Sequence, residues 1–548
     1  MDPDLYSTLI PEEWRSWFAG VHIDDVLDLL LREDVDEITT RQEKWRGYTL
    51  PPRTLLHFVA RIRDLSFDRS FTEPTHRAAI KLDKRISVGM NVKKIHEVSH
   101  FASFVSGLTD DLLFGSTIAS KHEITHLVDF GSGQNYLGRV LAGPKCQKHV
   151  VGLESRLLNI EGARKMDIHA KLVKKPIVWR NKKMWFAEGR DTAENDRLAA
   201  AVYIHSQVAA AEQATDQKLE NDSNGQQPVD EEASDEVIQK TEYIEHAIKD
   251  GNLQDISKHL QNNSQDQQPL ELLVMSLHSC GNLVHHGLRS LVLNDTVKAV
   301  ALIGCCYNLC TERLGPPTYK LPHLLRSTNR RLVDTSLTCD PHGFPMSERF
   351  IKYQHAEGTG IRFNITARMM AVQAPNNWTK DECEDFFTRH FYRALIQRIF
   401  LDVGFIKSPT RADDVMGGTL RGWVGGTEPI IIGRLSKSCY KNFVAYTRGA
   451  VKKIGTINPE MGTILRKCLE DLTDEAIACY ETRYLHKRHE LCIVWSLMAF
   501  AAQLVECAIV SDRWQFLMEQ EEVDQAWVQT VFDQGKSPRN LVIVGIKK

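Results

Sequence analysis

The chain has 548 residues, of which 42% are hydrophobic and 25% charged, and its formal net charge is −3. This length exceeds that of a usual single domain, so it predicts two or more packed units or one domain with large insertions. The small net charge argues against a general polyanion-binding surface, and twelve cysteines in so long a chain are typical of reduced intracellular thiols rather than a disulfide framework.

The first 85 residues carry helical patterns, and Trp14, Trp17 and Phe18 are expected in the core of this N-terminal region. The acidic start of the chain has no apolar core, so we do not expect a signal or transit peptide. Residues 90–105 then form a further predicted helix, which leads towards a glycine-rich loop.

That loop is the most informative segment of the sequence. A short apolar strand ends in Asp129, breaks at Gly131-Ser132-Gly133 and continues into an amphipathic helix, and a second strand ends in Glu154. Doubly wound α/β proteins build a pocket for an adenosine-containing cofactor in this way. The glycines let the backbone approach the ligand, and the acid on the second strand binds its ribose hydroxyls.

Two cofactor classes could use this loop. A dinucleotide site needs G-x-G-x-x-G, but Tyr136 stands where the third glycine would fall and would obstruct the close approach of a pyrophosphate. S-adenosylmethionine has no phosphate, and its proteins use a looser acid-x-Gly-x-Gly pattern, which residues 129–133 fit. The sequence therefore favours S-adenosylmethionine. The alternative is a plain strand-turn-helix in an α/β fold without this ligand.

The middle of the chain changes in composition and then resumes the α/β pattern. Residues 210–268 are rich in Gln, Asn, Asp and Ser, so they predict a disordered insertion with one short helix around Val237 to Ile248. From Leu272 a strand, a helix and a second strand follow, which is the next β-α-β step of a parallel sheet.

The last third is mostly helical in pattern and ends in a strand. The apolar run from Leu491 to Val510 is about long enough to span a bilayer. Gln503 and Glu506 interrupt it, and an acid inside a membrane helix is costly, so a buried helix leading into a strand is the better interpretation. We therefore expect a soluble cytoplasmic or nuclear protein without membrane contact. The sequence does not predict an oligomeric state.

Six segments together resemble the methyltransferase-like protein 25 family: MNVKKIHEV, VDFGSGQNYLGRVLA, SLHSCGNL, GCCYNL, HGFPMS and SPRNLVIVGIK. More distantly, the S-x-H-x-C-G pattern that begins at Ser276 is similar to the eukaryotic tRNA 2′-O-methyltransferases of the acceptor stem. The resemblance implies a class I, Rossmann-like α/β fold that binds S-adenosylmethionine and transfers its methyl group. Where the family usually has a third small residue, this chain has Asn135, which tolerates left-handed backbone and caps helices.

With this fold, the chain divides into six predicted parts. These are an N-terminal helical region (1–85), the first half of the methyltransferase domain (86–180), a largely disordered insertion (181–269), the second half of the domain (270–350), a mostly helical insertion (351–490), and a C-terminal helix with the closing strands (491–548).

Candidate catalytic residues follow the later strands. His278, Cys280 and Asn282 lie where the fourth strand ends, beside the expected position of the transferred methyl group. His278 is the candidate base for a hydroxyl or ring nitrogen, and the alternative is a loop histidine that holds backbone. Tyr307, after the fifth strand, could stack on a flat substrate. The Asn/Asp-Pro-Pro-aromatic signature of amino-methylating enzymes does not occur at the fourth strand.

Further residues are assigned to the cofactor pocket: Lys94, Glu97, Ser155, Leu277 and His278. The resemblance implies that the helix before the glycine loop passes over the methionine end of the cofactor. Lys94 or Glu97 would then meet its carboxylate or amino group in a charge-assisted contact. The alternative for this helix is an ordinary solvated face.

Four cysteines at this edge of the sheet, Cys280, Cys305, Cys306 and Cys310, contain no C-x-x-C pair. Cysteines at buried strand ends usually act as small apolar residues, so we predict no metal site.

Two basic clusters, Lys171–Lys183 with its neighbouring tryptophans and Arg483–Arg488, predict contacts with RNA, and ordinary solvated charge is the alternative. The predicted substrate is RNA, either rRNA or tRNA. A protein substrate and a non-catalytic scaffold are the alternatives.

Overall fold

The computed structural model describes residues 5–40, 44–73, 77–115, 118–173, 240–263, 268–314, 339–356, 358–407 and 429–548. The chain divides into two compact units, one formed by residues 1–166 with 240–548 and the other by residues 167–239. Only residues 167–173 of the second unit are described. Most of the predicted basic cluster Lys171–Lys183 and most of the predicted insertion therefore lie outside the described residues.

Five described helices and a small hairpin form the N-terminal region: α1 (Leu5–Leu9), α2 (Glu12–Phe18), α3 (Ile23–Leu31), α4 (Val35–Thr40), β1 (Lys44–Trp45), β2 (Tyr48–Thr49) and α5 (Arg53–Asp64). Trp14, Trp17 and Phe18 are buried, as predicted. Their core also contains Leu497 and Phe500, which lie more than four hundred residues later in the chain. The helical periodicity of the region did not predict the hairpin.

The α/β part follows in chain order: α6 (Val92–Phe114), β3 (His126–Phe130), α7 (Tyr136–Ala142), β4 (Val150–Glu154), α8 (Leu157–His169), β5 (Thr241–Glu245), α9 (Gln254–Asn263), β6 (Leu272–Cys280), α10 (Leu283–Leu293) and β7 (Val297–Cys306). Asn91 caps α6, because its side-chain oxygen accepts a hydrogen bond from the Lys94 N–H at 2.8 Å.

Strand β5 corrects the prediction for the middle of the chain. Residues 241–245 pair in parallel with β4, from Thr241 opposite Val150 to Glu245 opposite Glu154. The predicted short helix around Val237 to Ile248 is therefore wrong in its described part, and so is disorder for 240–263. An edge strand can be polar on its exposed side, and the neighbouring strand pairs the backbone groups that face it. Composition alone does not reveal that neighbour.

The C-terminal part adds helices and closes the sheet: α11 (Glu348–Ile351), β8 (Gln354–His355), β9 (Gly358–Thr359), α12 (Ile365–Ala371), α13 (Lys380–Asp402), α14 (Phe443–Ile457), α15 (Pro459–Cys468), α16 (Asp474–Ala501), α17 (Gln503–Met518), β10 (Val523–Thr530) and β11 (Leu541–Lys547). Helices α16 and α17 contain a stretch long and apolar enough to cross a membrane, and 56% of that stretch is buried inside the protein. Such burial is typical of a core helix.

Seven described strands form the central sheet in the order β10-β11-β7-β6-β3-β4-β5. The five strands from β7 to β5 are parallel, and β11 runs antiparallel to both β7 and β10. The α/β prediction is thus confirmed, as is the terminal strand predicted to pair back into the sheet. The chain winds from β3 to β5 in one direction and from β6 to β7 in the other. Ligands bind at such a reversal point, beyond the carboxyl ends of the strands.

Both faces of the sheet are covered by apolar side chains. Successive residues of a strand point to opposite faces, so Leu127 and Leu273 join the core beneath α6 and α7, while Val128 and Val274 join the core beneath α10. Each such fully buried side chain contributes about 1.5–3 kcal/mol. The two cores hold the carboxyl ends of β3 and β6 side by side.

Candidate functional site

The glycine-rich loop joins β3 to α7 and folds back onto the end of β4. Gly131 and Gly133 have φ angles of 71° and 56°, a left-handed conformation that favours glycine. The N–H groups of Gly131 and Ser132 donate to the Leu153 carbonyl at 2.9 and 3.1 Å. The loop is therefore held against the end of β4 by backbone hydrogen bonds.

Glu154 holds the same loop through its side chain. Its Oε2 accepts a hydrogen bond from the Gly133 N–H at 3.0 Å, and its Oε1 accepts one from the Arg156 N–H at 2.9 Å. Each carboxylate oxygen has a second acceptor position, so these bonds leave capacity for ligand hydroxyls. The acid lies at the end of the strand beside the loop, where a ribose-binding residue is needed.

Asn135 adopts the backbone conformation that the usual glycine would adopt. Its φ of 54° and ψ of 40° are left-handed, and it is fully buried at the start of α7. The side-chain amide donates to the Tyr243 hydroxyl at 2.8 Å. The turn thus survives the departure from the family pattern, and the asparagine also ties the loop to β5.

Asp129 is a buried acid at the end of β3. Burial raises the pKa of Asp129 to about 7, although the nearby ammonium group of Lys94 lowers it. Burial in turn lowers the pKa of Lys94, while the charges of Glu97 and Asp129 raise it. Lys94 on α6 therefore acts electrostatically on two acids, one from its own helix and one from the central strand.

Glu97 and His278 are joined by a hydrogen bond across two elements. Glu97 Oε2 lies 3.1 Å from His278 Nε2, and Glu97 Oε1 accepts a hydrogen bond from the Ser537 hydroxyl at 2.7 Å. The Lys94 ammonium lies 3.7 Å from Glu97 Oε2. Burial alone would raise the pKa of Glu97, but the His278 and Ser537 hydrogen bonds and the charges of His278 and Lys94 lower it to about 2.

The exposure of this pair suits a base that a substrate can reach. The Glu97 side chain is 3% exposed, whereas the His278 side chain is 40% exposed. The carboxylate is therefore ionised and fixed, and the imidazole is held by it but reachable. A carboxylate that orients an accessible histidine is an arrangement that general-base catalysis uses.

Asn282 has a different environment from that predicted. Its side-chain amide donates to Thr311 Oγ1 at 2.6 Å and to Asp340 Oδ2 at 3.0 Å, and its oxygen accepts from the Thr311 N–H at 3.1 Å. These bonds join the start of α10 to two later loop segments. The structure thus places Asn282 in a loop-holding network, which does not support a catalytic role.

Tyr307 also departs from its predicted role. The side chain is 2% exposed, and its hydroxyl donates to Glu506 at 2.8 Å. The guanidinium groups of Arg513 and Arg539 each lie 5.6 Å from the ring centroid. Burial and the charge of Glu506 raise the pKa of Tyr307. A ring enclosed in this way is not available to stack on a substrate, so that prediction is corrected.

Of the remaining assigned residues, Ser155 is exposed beyond β4 and Leu277 is buried within β6. Sequence reasoning missed Ser537, which is buried in the loop between β10 and β11 and holds Glu97. Ser537 belongs to the SPRN motif, which is part of one of the segments that carry the family resemblance. This motif was therefore a sequence signal for a role of Ser537.

Three of the four cysteines that the sequence places at this edge of the sheet lie together at the carboxyl ends of β6 and β7. The Cys280 sulfur lies 3.5 Å from that of Cys305 and 3.3 Å from that of Cys306, and the last two are 3.4 Å apart. Hydrogen bonding with Cys305 and Cys306 lowers the pKa of Cys280 to about 6, although burial opposes this shift. Cys310 is not part of this cluster, since its sulfur accepts a bond from Arg513 at 3.5 Å.

The basic cluster Arg483–Arg488 lies on α16 and is partly neutralised. Lys487 pairs with Glu490 at 2.8 Å, and Arg488 pairs with Glu384 at 2.5 Å. The Arg483 guanidinium lies 5.4 Å from the ring of Tyr484. The cluster therefore presents less positive charge than its sequence suggests.

The side chains described at these strand ends include the kinds of group that S-adenosylmethionine would contact. A side-chain carbon at Gly133 would meet no atom within 4 Å, so the loop faces open space there. The buried Ser132 hydroxyl has no hydrogen-bond partner among the described residues. Acceptors for ribose hydroxyls, an ammonium group and a buried carboxyl surround the same strand ends, as an adenosine linked to an amino acid requires.

Comparison with known proteins agrees with this geometry. Residues 93–313 match a protein family described as "Methyltransferase domain". The human protein named "Probable methyltransferase-like protein 25" is 23% identical over 525 residues, which cover 84% of this chain and 75% of the relative. The mouse protein of the same name is 24% identical over 278 residues, which cover 51% of this chain and 38% of the relative. No solved structure gives a significant match.

The central sheet, the glycine-rich loop and these similarities agree on one fold and one enzyme class. The matched range begins on α6 at residue 93 and ends after β7 at residue 313, so it contains both Glu97 and His278. The chain contains a methyltransferase domain with a Rossmann-like α/β fold, and it is similar to the human and mouse proteins named "Probable methyltransferase-like protein 25".

Proposed function

We propose that this protein transfers the methyl group of S-adenosylmethionine to RNA, at a hydroxyl or ring nitrogen that loses a proton. The observation that carries the proposal is the Glu97–His278 pair at 3.1 Å, beside the glycine-rich loop. Bound S-adenosylmethionine supplies an activated methyl group on a positively charged sulfur. Everything else that the reaction needs must come from the side chains at the two strand ends.

The charges at the strand ends suggest how the donor is held. Glu154 would accept hydrogen bonds from the ribose hydroxyls with the acceptor positions that the loop leaves unused. Lys94 would pair with the carboxylate of the donor, and Asp129 with its amino group. These contacts would orient the donor so that its methyl group faces His278. Methyl transfer is faster when the donor and the nucleophile are held in the reactive geometry.

His278 would remove the proton from the acceptor. When Nε2 carries the hydrogen that Glu97 accepts, Nδ1 is the nitrogen that can take the proton of a substrate hydroxyl. The Glu97 carboxylate then stabilises the resulting imidazolium. A base of this kind is needed for a hydroxyl or a ring N–H and not for a carboxylate acceptor, so the pair favours the former substrates.

Two features favour RNA as the source of that acceptor. The S-x-H-x-C-G pattern from Ser276 to Gly281 is similar to that of tRNA 2′-O-methyltransferases, whose acceptor is a hydroxyl. The cluster Lys171–Lys183 combines six cations with neighbouring tryptophans, a composition suited to phosphates and bases. An RNA substrate agrees with a cytoplasmic or nuclear location. A protein substrate is the second candidate, because the partial neutralisation of Arg483–Arg488 leaves less positive surface.

A labelling experiment tests the proposal. The protein is incubated with methyl-labelled S-adenosylmethionine in a lysate of cells that lack it, and the product is treated with RNase or with protease. We expect the label to be released by RNase and kept after protease. The His278→Ala variant should lower the rate by about 10²–10⁴-fold, since that is the usual contribution of a general base. Label released only by protease would replace RNA with a protein substrate.

Donor binding is measured separately by calorimetry. We expect wild type to bind S-adenosylmethionine and Glu154→Ala to bind it about 10–100-fold more weakly, as loss of hydrogen bonds to a charged group predicts. Equal affinity of the two proteins would contradict the ribose-binding role of Glu154. Absence of donor binding in both would indicate a non-catalytic scaffold with this fold.

A further inference from the structure

The three-thiol cluster of Cys280, Cys305 and Cys306 is not used by the proposed reaction. Its three sulfur atoms lie 3.3, 3.4 and 3.5 Å from one another, so they form a nearly equilateral triangle. Among the described residues, this is the group of histidine, cysteine and acidic side chains whose ligand atoms could jointly hold a metal ion.

The backbone is shaped to bring these thiols together. Adjacent residues of a regular strand point to opposite faces, yet the sulfurs of Cys305 and Cys306 lie on the same side. Cys306 leaves strand geometry, with φ of −108° and ψ of 71°. The register between β6 and β7 also shifts on both sides of Ser279, and Cys280 then lies opposite Cys306. Two local irregularities thus converge on one point.

The size of the triangle matches a tetrahedral thiolate site. Zinc–sulfur bonds of about 2.3 Å place the sulfurs of such a site about 3.8 Å apart, only a few tenths of an ångström more than the separations here. An ion bonded to all three sulfurs would lie about 1 Å above their plane and would keep a fourth position free. Cys280 is exposed, so that position is reachable from solvent.

Other uses of the cluster explain it less well. A disulfide would join two of the sulfurs and would not explain why the third lies beside them. Oxygen-seeking ions such as Mg²⁺ and Ca²⁺ are not suited to thiols, whereas Zn²⁺ and Cu⁺ are. Zinc sites with three protein ligands and one open position are well known among enzymes.

We propose that Cys280, Cys305 and Cys306 bind one Zn²⁺ ion as three thiolate ligands, with water or a substrate atom as the fourth ligand. The ion would join the carboxyl ends of β6 and β7 two residues after His278 and so hold the segment that carries the base. The proposal concerns metal binding alone and does not rest on methyl transfer or on RNA.

The first test measures the metal in the full-length protein, purified under reducing conditions without chelator. Elemental analysis should find about one zinc per chain in wild type and in the control Cys479→Ser, whose thiol is exposed on α16. Each of Cys280→Ser, Cys305→Ser and Cys306→Ser should lose most of the metal. Stoichiometric copper in place of zinc would overturn the assignment of the ion, and zinc retained by all three variants would overturn the site.

A second test needs no variant and so does not depend on the folding of one. The metal-free wild-type protein is alkylated with iodoacetamide, with and without added Zn²⁺, and the modified peptides are identified by mass spectrometry. Zinc should protect the peptides of Cys280 and of Cys305 with Cys306, and it should leave Cys479 equally reactive. Equal labelling of these cysteine peptides with and without Zn²⁺ would refute the zinc site.

Discussion

Glu97 is a fixed anion whose position depends on three separate segments. The carboxylate is provided by α6, its first partner, His278, by β6, and its second, Ser537, by the loop before β11. Because burial of an unpaired carboxylate is unfavourable, each partner is needed to keep the charge in place. The residue therefore connects the stability of the fold with the orientation of the predicted base.

The stability of the protein should depend on pH through Glu97. Its pKa is lowered from 4.5 to about 2 in the folded state, so the ionised group stabilises the fold fully above 4.5. That stabilisation is lost as the pH falls from 4.5 to about 2. Melting temperatures measured over this range should fall less steeply for Glu97→Gln than for wild type. Parallel curves for the two proteins would contradict the lowered pKa of Glu97.

Asp129 should make donor binding dependent on pH near neutrality. Its pKa is raised to about 7, so the carboxyl is largely protonated at pH 6 and largely ionised at pH 8. If the carboxylate pairs with the donor's amino group, wild type should bind S-adenosylmethionine several-fold more tightly at pH 8 than at pH 6. Calorimetry of Asp129→Asn should show a flat profile over the same range. An equally steep profile in that variant would assign the dependence to another group.

At the scale of elements, β5 determines how the glycine-rich loop is supported. It is an edge strand paired in parallel with β4, and its Tyr243 accepts the Asn135 amide. The loop between β3 and α7 is thus held from β4 by Leu153 and Glu154 and from β5 by Tyr243. An element outside the predicted core of the domain therefore helps to shape the glycine-rich loop.

Substitution of Asn135 should separate the effect of its hydrogen bond to Tyr243 from the effect of its left-handed backbone conformation. Asn135→Gly keeps the left-handed backbone but loses the Tyr243 hydrogen bond, so it should cost about 1 kcal/mol. Asn135→Ala loses the bond and also strains the backbone, which adds about 1 kcal/mol or more. Melting temperatures should therefore fall in the order wild type, glycine variant, alanine variant. The reverse order of the two variants would show that the left-handed conformation is not present.

At the scale of the whole molecule, Glu506 joins distant parts of the chain. On α17, it accepts hydrogen bonds from Tyr307 after β7 and from Arg539 in the last loop, and it pairs with Arg69 after α5 at 2.7 Å. The side chains of Glu506, Arg69 and Arg539 are 6%, 11% and 10% exposed, so these charges are nearly buried and depend on one another.

Removal of this acid should be strongly destabilising. Glu506→Ala leaves Arg69 and Arg539 buried without their shared partner, and such a loss typically costs about 3–5 kcal/mol. The control is Glu490→Ala, which removes a more exposed acid paired with Lys487 and should cost less than about 1 kcal/mol. Calorimetric melting of wild type and of the two variants measures how much stability each substitution removes. Similar small effects would show that the network is not buried in solution.

Parts of this architecture were predictable because they depend on neighbours in sequence. The strand, the Gly131-Ser132-Gly133 turn and the helix after it follow from local hydrophobicity and from the need for positive φ at two positions. The terminal strand and the helices of 351–490 in the described ranges are also local patterns. The edge strand β5 was not predictable, since its polar sequence becomes a strand only through pairing with β4.

The chain by itself determined the class of fold, the glycine-rich loop with Glu154 at the second strand, and the position of His278 at a strand end. Only the tertiary structure decided the contacts of these residues. It paired His278 with Glu97, enclosed Tyr307, placed Asn282 in a loop network and gathered three cysteines into one triangle. The reason is physical: conformational preferences act within a few residues, whereas ion pairs, enclosure and side-chain clusters require segments that only packing of the sheet and its helices brings together.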